Sequence, residues 1–261
     1  MTLSSGTHIL RAHRGESYYR EECLNARRRH LPPERISHRG AHQSHPENSI
    51  AAFERAIELG ADGIELDVHA TRDGIVVVHH DPIVHARHSQ SHPHKEISDL
   101  EAAELEQFLL ADETRIPTLS DVLRTIGTRA TVYIEIKASN IEPLVTRCIR
   151  ESKTTCAVHS FDHRIVRNVK SIFPAIRTGI LEVSRHIDPT ASLAAASAED
   201  LWQEVGFVDA ELIEGCHQAG ARVVAWTANE PAQWDFLYAI GVDAICTDRI
   251  AELATYHWQV R

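Results

Sequence analysis

From residue 36 onward, short apolar runs alternate with segments of helical period, the pattern of βα units around a parallel sheet. Ile36-Ser37-His38 opens the series. In residues 48–60, Ile50, Phe53, Ala56 and Ile57 share one helical face, with Pro46 and Glu47 ahead of them and Gly60 at the end, so the spacing predicts a helix. Residues 63–68 (GIELDV) are expected as the next strand. Residues 74–80 (GIVVVHH) follow after a turn holding Asp73-Gly74, a connection too short for a crossover helix, so these two runs are expected to pair antiparallel or as one bent hairpin. Residues 98–110 are expected as one helix, with Ser98 at its cap and Glu101 three residues on, and residues 118–126 as another.

Later strands are expected at 131–137, 157–161, 178–181, 221–226 and 244–247, separated by helices near 142–151, 163–172, 209–219 and 231–240. Between 183 and 207 the alanine-rich chain suits helix or loop, and one strand stays unplaced there. No repeat of 20–50 residues is visible. The fold class expected is α/β, a (β/α)8 TIM-type barrel over residues 36–261 with a short hairpin or loop insertion after the second strand; about 225 residues falls within the range of that architecture.

Composition narrows this picture. The chain has 261 residues, 43% hydrophobic and 25% charged, and no apolar run reaches the roughly 18 residues of a membrane span. A formal charge of -10 argues against a broad nucleic-acid surface. Five scattered cysteines without a CxxC pair (Cys23, Cys148, Cys156, Cys216, Cys246) suit a reducing, cytoplasmic compartment better than a disulfide framework or a zinc site. Residues 1–35 differ in carrying seven arginines with little apolar periodicity and no hydrophobic core for a secretory signal. Glu16, Glu21 and Glu22 speak against a transit peptide, so the segment is read as an N-terminal extension, poorly ordered or docked. The oligomeric state is not legible.

Residues two apart in a strand share a face, so Glu65 and Asp67 point one way while Ile64, Leu66 and Val68 point the other. The same arithmetic puts Glu135 and Lys137 together. Inside one barrel the three carboxylates would converge, repel and protonate without a compensating cation, and oxygen-rich sites select Mg²⁺, Ca²⁺ or Mn²⁺. The alternative is a salt-bridge network with Lys137 and Arg39. His38 and His80 each end a strand-like run, where barrel active sites form, and imidazole titrates near neutrality.

The strings HRGAHQSHPENS (38–49), GADGIELDVHATRDGIVVVHHDP (60–82), IPTLSDVL (116–123), YIEIK (133–137), VVAWTAN (223–229) and GVDAICTD (241–248) together resemble the glycerophosphodiester phosphodiesterase family over about residues 36–250. The resemblance implies a barrel hydrolase releasing sn-glycerol 3-phosphate and an alcohol from a small glycerophosphodiester. It implies one divalent cation on Glu65, Asp67 and Glu135, acid/base work by His38 and His80, and phosphate contacts from Arg39 and Lys137. Rival readings are a related barrel phospholipase of the sphingomyelinase D or phosphoinositide-specific phospholipase C type, and a catalytically silent ligand-binding barrel.

Other residues carry two readings each. Glu47 either orients the site or favours a helix dipole, and Trp226 either walls the substrate pocket or packs in the core. The histidines at 79, 80, 85, 88, 92 and 94 either collect metal or line a solvated loop over the barrel mouth. The arginine that the family often shows six residues after the second histidine is replaced by Ala86 here, with Arg87 one residue later. His13-Arg14-Gly15 repeats the HRG string by chance.

Overall fold

A computed structural model of the chain describes residues 31–85, 94–110 and 113–258. Eight parallel strands close into a barrel: β1 (Glu34–His38), β2 (Gly63–Ala70), β6 (Thr131–Ile136), β7 (Cys156–Ser160), β8 (Arg177–Glu182), β9 (Asp200–Glu204), β10 (Arg222–Trp226) and β11 (Ala244–Thr247). Closure is made by β1, which pairs with β2 on one side and β11 on the other. Helices lie between successive strands, as the alternating pattern predicts. The insertion after β2 holds β3 (Val76–Val78), antiparallel to the end of β2, and a two-stranded ribbon of β4 (Ile83–His85) and β5 (His94–Glu96). The expected antiparallel hairpin is therefore present.

Alternation along each strand builds two layers. Ile64, Leu66 and Val68 of β2, with Ile134 and Ile136 of β6, face outward and are fully buried against the helices; each such side chain contributes about 2 kcal/mol. The interior positions form a smaller core of Ile36, Tyr133, Ala157, Leu181, Trp202, Val224, Ala244 and Cys246. Two glycines make room for its aromatics. A Cβ on Gly63 would stand 2.8 Å from the Tyr133 ring, and one on Gly179 would stand 2.8 Å from Trp202.

Three readings change. The helix expected over 98–110 is a 3-10 turn (Ile97–Asp99) and a four-residue helix (Ala102–Leu105), capped by Glu101 with Glu104 reciprocating, rather than by Ser98. The cause is that Leu100 turns extended and gives its carbonyl to Arg72 N–H at 2.8 Å, while Ile97, Leu100, Leu105 and Phe108 bury against Val77 and Val84. The unplaced strand is β9, whose sequence DLWQE hides it because Asp200 takes an interior position. Strand β1 begins at Glu34, within the stretch assigned to the extension, whose residues 1–30 lie outside the described residues, as do His88, His92, Ala86 and Arg87. Among the described residues no helix is long and apolar enough to cross a membrane.

Candidate active site

Strand register brings the predicted residues together at the carboxyl end of the barrel. His38 lies beside Glu65, Asp67 beside Glu135, and Glu135 beside His159. His38, Arg39, Glu65, His80, Glu135 and Lys137 all line one cavity of about 240 Å³, walled on its far side by Phe161, Leu181, Trp202 and Trp226. Two larger clefts, of about 680 and 660 Å³, hold none of these groups, so volume does not locate the chemistry.

The turn after β1 shapes one wall. Arg39 and Gly40 both adopt positive φ, 54° and 81°, which folds the chain back so that Asn48 N–H reaches the Arg39 carbonyl at 3.1 Å. Glycine is required at 40, where a Cβ would lie 2.7 Å from the Ala52 backbone. Ser49 then caps the helix Ile50–Glu58 by accepting from Ala52 N–H, worth about 1 kcal/mol. Glu47 precedes that cap, lies outside the helix's first turn and holds the Arg39 guanidinium at 3.1 Å.

The acids face three different settings. Asp67 is fully buried, accepts from Asn48 Nδ2 at 2.9 Å, and lies 3.1 Å from Arg39 Nε and 3.5 Å from Lys137 Nζ. Burial alone would raise its pKa, yet Arg39, Lys137 and Asn48 outweigh burial and hold it below the usual carboxylate value. Glu135 is instead raised, first by burial and then by the Asp67 charge, although Lys137 lies 3.0 Å away. Glu65 and Glu135, with His159, offer ligand atoms all within 4.8 Å of one another. The salt-bridge alternative is thus realised in part, since Arg39 pairs with Asp67 and Glu47 and Lys137 with Asp67 and Glu135, but these carboxylates together with Glu65 outnumber the two cations, and Asp67 Oδ1 is buried without a hydrogen-bond partner. This surplus of anionic oxygen fits a divalent cation.

Each candidate histidine is held through Nδ1. His38 Nδ1 lies 2.7 Å from Asp248, and His80 Nδ1 lies 2.7 Å from Asp81. Burial would lower the His38 pKa, but the Asp248 hydrogen bond and the Glu65 charge raise it overall. Asp248 is held far below the usual carboxylate value despite partial burial, by hydrogen bonds from His38, His42 and Asn229. Asp81 is lowered by His80. Because both carboxylates stay ionised, Nδ1 must donate, which leaves Nε2 as the ring atom not held by that carboxylate. Trp226 is half-buried in the cavity wall, edge-on to Phe161 at 5.5 Å.

Sequence reasoning did not reach His42, Asn48, His159, Asn229 and Asp248. Four of these lie inside the quoted strings without a role, since the partner of Asp248 is 210 residues away; His159 stands in an apolar run that reads as plain strand.

Residues 38–252 match the glycerophosphoryl diester phosphodiesterase family. The chain is 35% identical over 225 residues to a glycerophosphodiester phosphodiesterase of Caldanaerobacter subterraneus subsp. tengcongensis, covering 82% of this chain and 93% of the relative. It is 28% identical over 232 residues to one of Bacillus altitudinis, with the same coverages. Among solved structures, a phosphodiesterase of Oleispira antarctica in complex with the product sn-glycerol-3-phosphate superposes with a TM-score of 0.76 at 24% identity, covering 85% of this chain and 95% of that one. Barrel, motif series and relatives agree that this chain belongs to the glycerophosphodiester phosphodiesterase family of phosphoric diester hydrolases.

Proposed function

We propose that the chain hydrolyses a small glycerophosphodiester to sn-glycerol 3-phosphate and an alcohol, with one divalent cation at Glu65, Asp67 and Glu135 and with His38 and His80 as the acid/base pair. The observation that carries this reading is that both imidazoles, each held through Nδ1 by an ionised carboxylate, line the same cavity as Glu65 and Glu135. The product bound to the Oleispira antarctica relative supports the substrate class.

A divalent cation, Mg²⁺, Ca²⁺ or Mn²⁺, would supply polarisation of a phosphoryl oxygen and offset charge built up in the transition state. The protein's own groups do the rest. One histidine Nε2 removes the proton from the attacking oxygen, which is either water or the neighbouring glycerol hydroxyl, and the other returns a proton to the departing alcohol oxygen; after attack by the glycerol hydroxyl, water opens the cyclic phosphate to sn-glycerol 3-phosphate. Arg39, steadied by Glu47, offers a fork of donors to the phosphate, and Lys137 adds a point charge. Trp226 and Phe161 form an apolar wall against the substrate and restrict water. Cys148, Cys156, Cys216 and Cys246 are free thiols, which supports a cytoplasmic setting.

The test is a panel of glycerophosphocholine, glycerophosphoethanolamine, sphingomyelin and a phosphoinositide, with released glycerol 3-phosphate quantified before and after chelation. Glycerol 3-phosphate from the first two, lost on chelation and regained with Mg²⁺, Mn²⁺ or Ca²⁺, is expected. Ceramide phosphate or inositol phosphate would select the phospholipase reading, and silence on every substrate would select a binding barrel.

A further inference from the structure

His159 has no part in the acid/base scheme, and its setting is unusual for a packing residue. It projects from β7 into the barrel, 1% exposed, beside Glu135 in the strand register. Its ring stacks on Trp202 at 4.1 Å and 11°, which fixes the imidazole plane. Buried polar atoms normally find partners, yet Nδ1 has none. Nε2 faces Glu65 Oε1 at 3.8 Å, too far for a hydrogen bond. A residue serving to cover Trp202 could be apolar; an imidazole aimed at two carboxylates with no hydrogen bond to either has the placement of a donor waiting for a shared acceptor.

We propose that His159 is a nitrogen ligand of the cation, so that this barrel takes a first-row transition ion such as Mn²⁺ in preference to Ca²⁺. The inference rests on the carboxylate site of the proposed function and names a further member of it. Two donors on opposite sides of one ion stand roughly 4–5 Å apart, and the ligand atoms of Glu65, Glu135 and His159 meet that limit. Ca²⁺ is held by six to eight oxygens, so an imidazole in place of an oxygen weakens it relative to first-row ions, which accept nitrogen readily.

The decisive measurement is pulsed electron paramagnetic resonance on the full chain, stripped of metal and reloaded with Mn²⁺. Coupling to an imidazole ¹⁴N is expected in the wild type and in His38→Ala, which removes the other ring near Glu65, and is expected to vanish in His159→Gln. Calorimetric titration should show Mn²⁺ affinity falling at least tenfold in His159→Gln while Ca²⁺ affinity changes less than threefold. Mn²⁺ bound without nitrogen coupling, coupling that survives in His159→Gln, or equal weakening of both ions overturns the assignment of His159 and leaves the carboxylate site standing. Failure of either ion to bind the wild type overturns both. If His159→Gln does not fold, the wild type, His38→Ala and His80→Ala spectra decide: coupling in all three supports His159, and its loss in either variant transfers the role to the ring removed.

Discussion

At the floor of the barrel Glu34 and Asp200 meet Arg222 and Arg177, two acids against two bases, whereas at the mouth Glu65, Asp67 and Glu135 share Arg39 and Lys137. The floor is closed by matched contacts: Arg222 to Glu34 at 2.6 Å, Tyr133 hydroxyl to Glu34 at 2.8 Å and Arg177 to Asp200 at 2.8 Å. Such a layer holds strands in place without needing anything from solution. The mouth carries more buried carboxylates than fixed cations, an excess relieved either by protonation, as the raised Glu135 pKa shows, or by a cation from solution. The floor pairs its acids and bases one to one, and the mouth does not.

Substitutions should therefore separate activity from stability in opposite senses at the two ends. The largest effect is expected for His38→Ala and His80→Ala, each lowering kcat by about 10²–10⁴ with the melting temperature unchanged; wild-type turnover in either variant would break the assignment of the mouth. Next comes Arg222→Met, which strands Glu34 and weakens the field at Asp200. It is expected to cost about 3 kcal/mol in denaturant unfolding while kcat/KM per folded molecule stays the same, and unaltered stability would remove the floor from the contrast.

The smallest effect is a pH slope. Burial raises the Asp200 carboxyl above its ordinary 3.8, despite Arg177 and Arg222. The folded chain thus binds that proton more tightly than the unfolded chain, a contribution complete below 3.8 and lost as pH rises through the folded value. Asp200→Asn abolishes the loss, so the variant's melting temperature should gain on the wild type across that rise and run parallel to it at higher pH. Parallel curves throughout would show that Asp200 does not titrate differently on folding.

Much of this was legible because two strands announce themselves. In GIELDV the apolar positions alternate with Glu65 and Asp67, and in TVYIEI with Thr131, Tyr133 and Glu135, so both the strands and the direction of the three acids follow from period two. Strand β9 was not legible, because its interior positions hold Asp200 and Trp202 and its outward ones Leu201 and Gln203, leaving no apolar run. Residues 98–110 looked helical by cap and composition, but a backbone hydrogen bond from Arg72, 28 positions from Leu100, stops the helix. Asp248 and Asn229 stayed silent for the same reason: their meaning lies in partners distant along the chain.

The glycines at 63 and 179, which let Tyr133 and Trp202 fill the interior, also turn the catalytic chamber into a cul-de-sac. Reactant and both fragments must pass through the same doorway, so the fragment that departs last blocks the next arrival. That fragment, added in excess, should raise the apparent KM and leave kcat alone; an inhibition pattern that lowers kcat instead would mean that the fragment added is the one that leaves first.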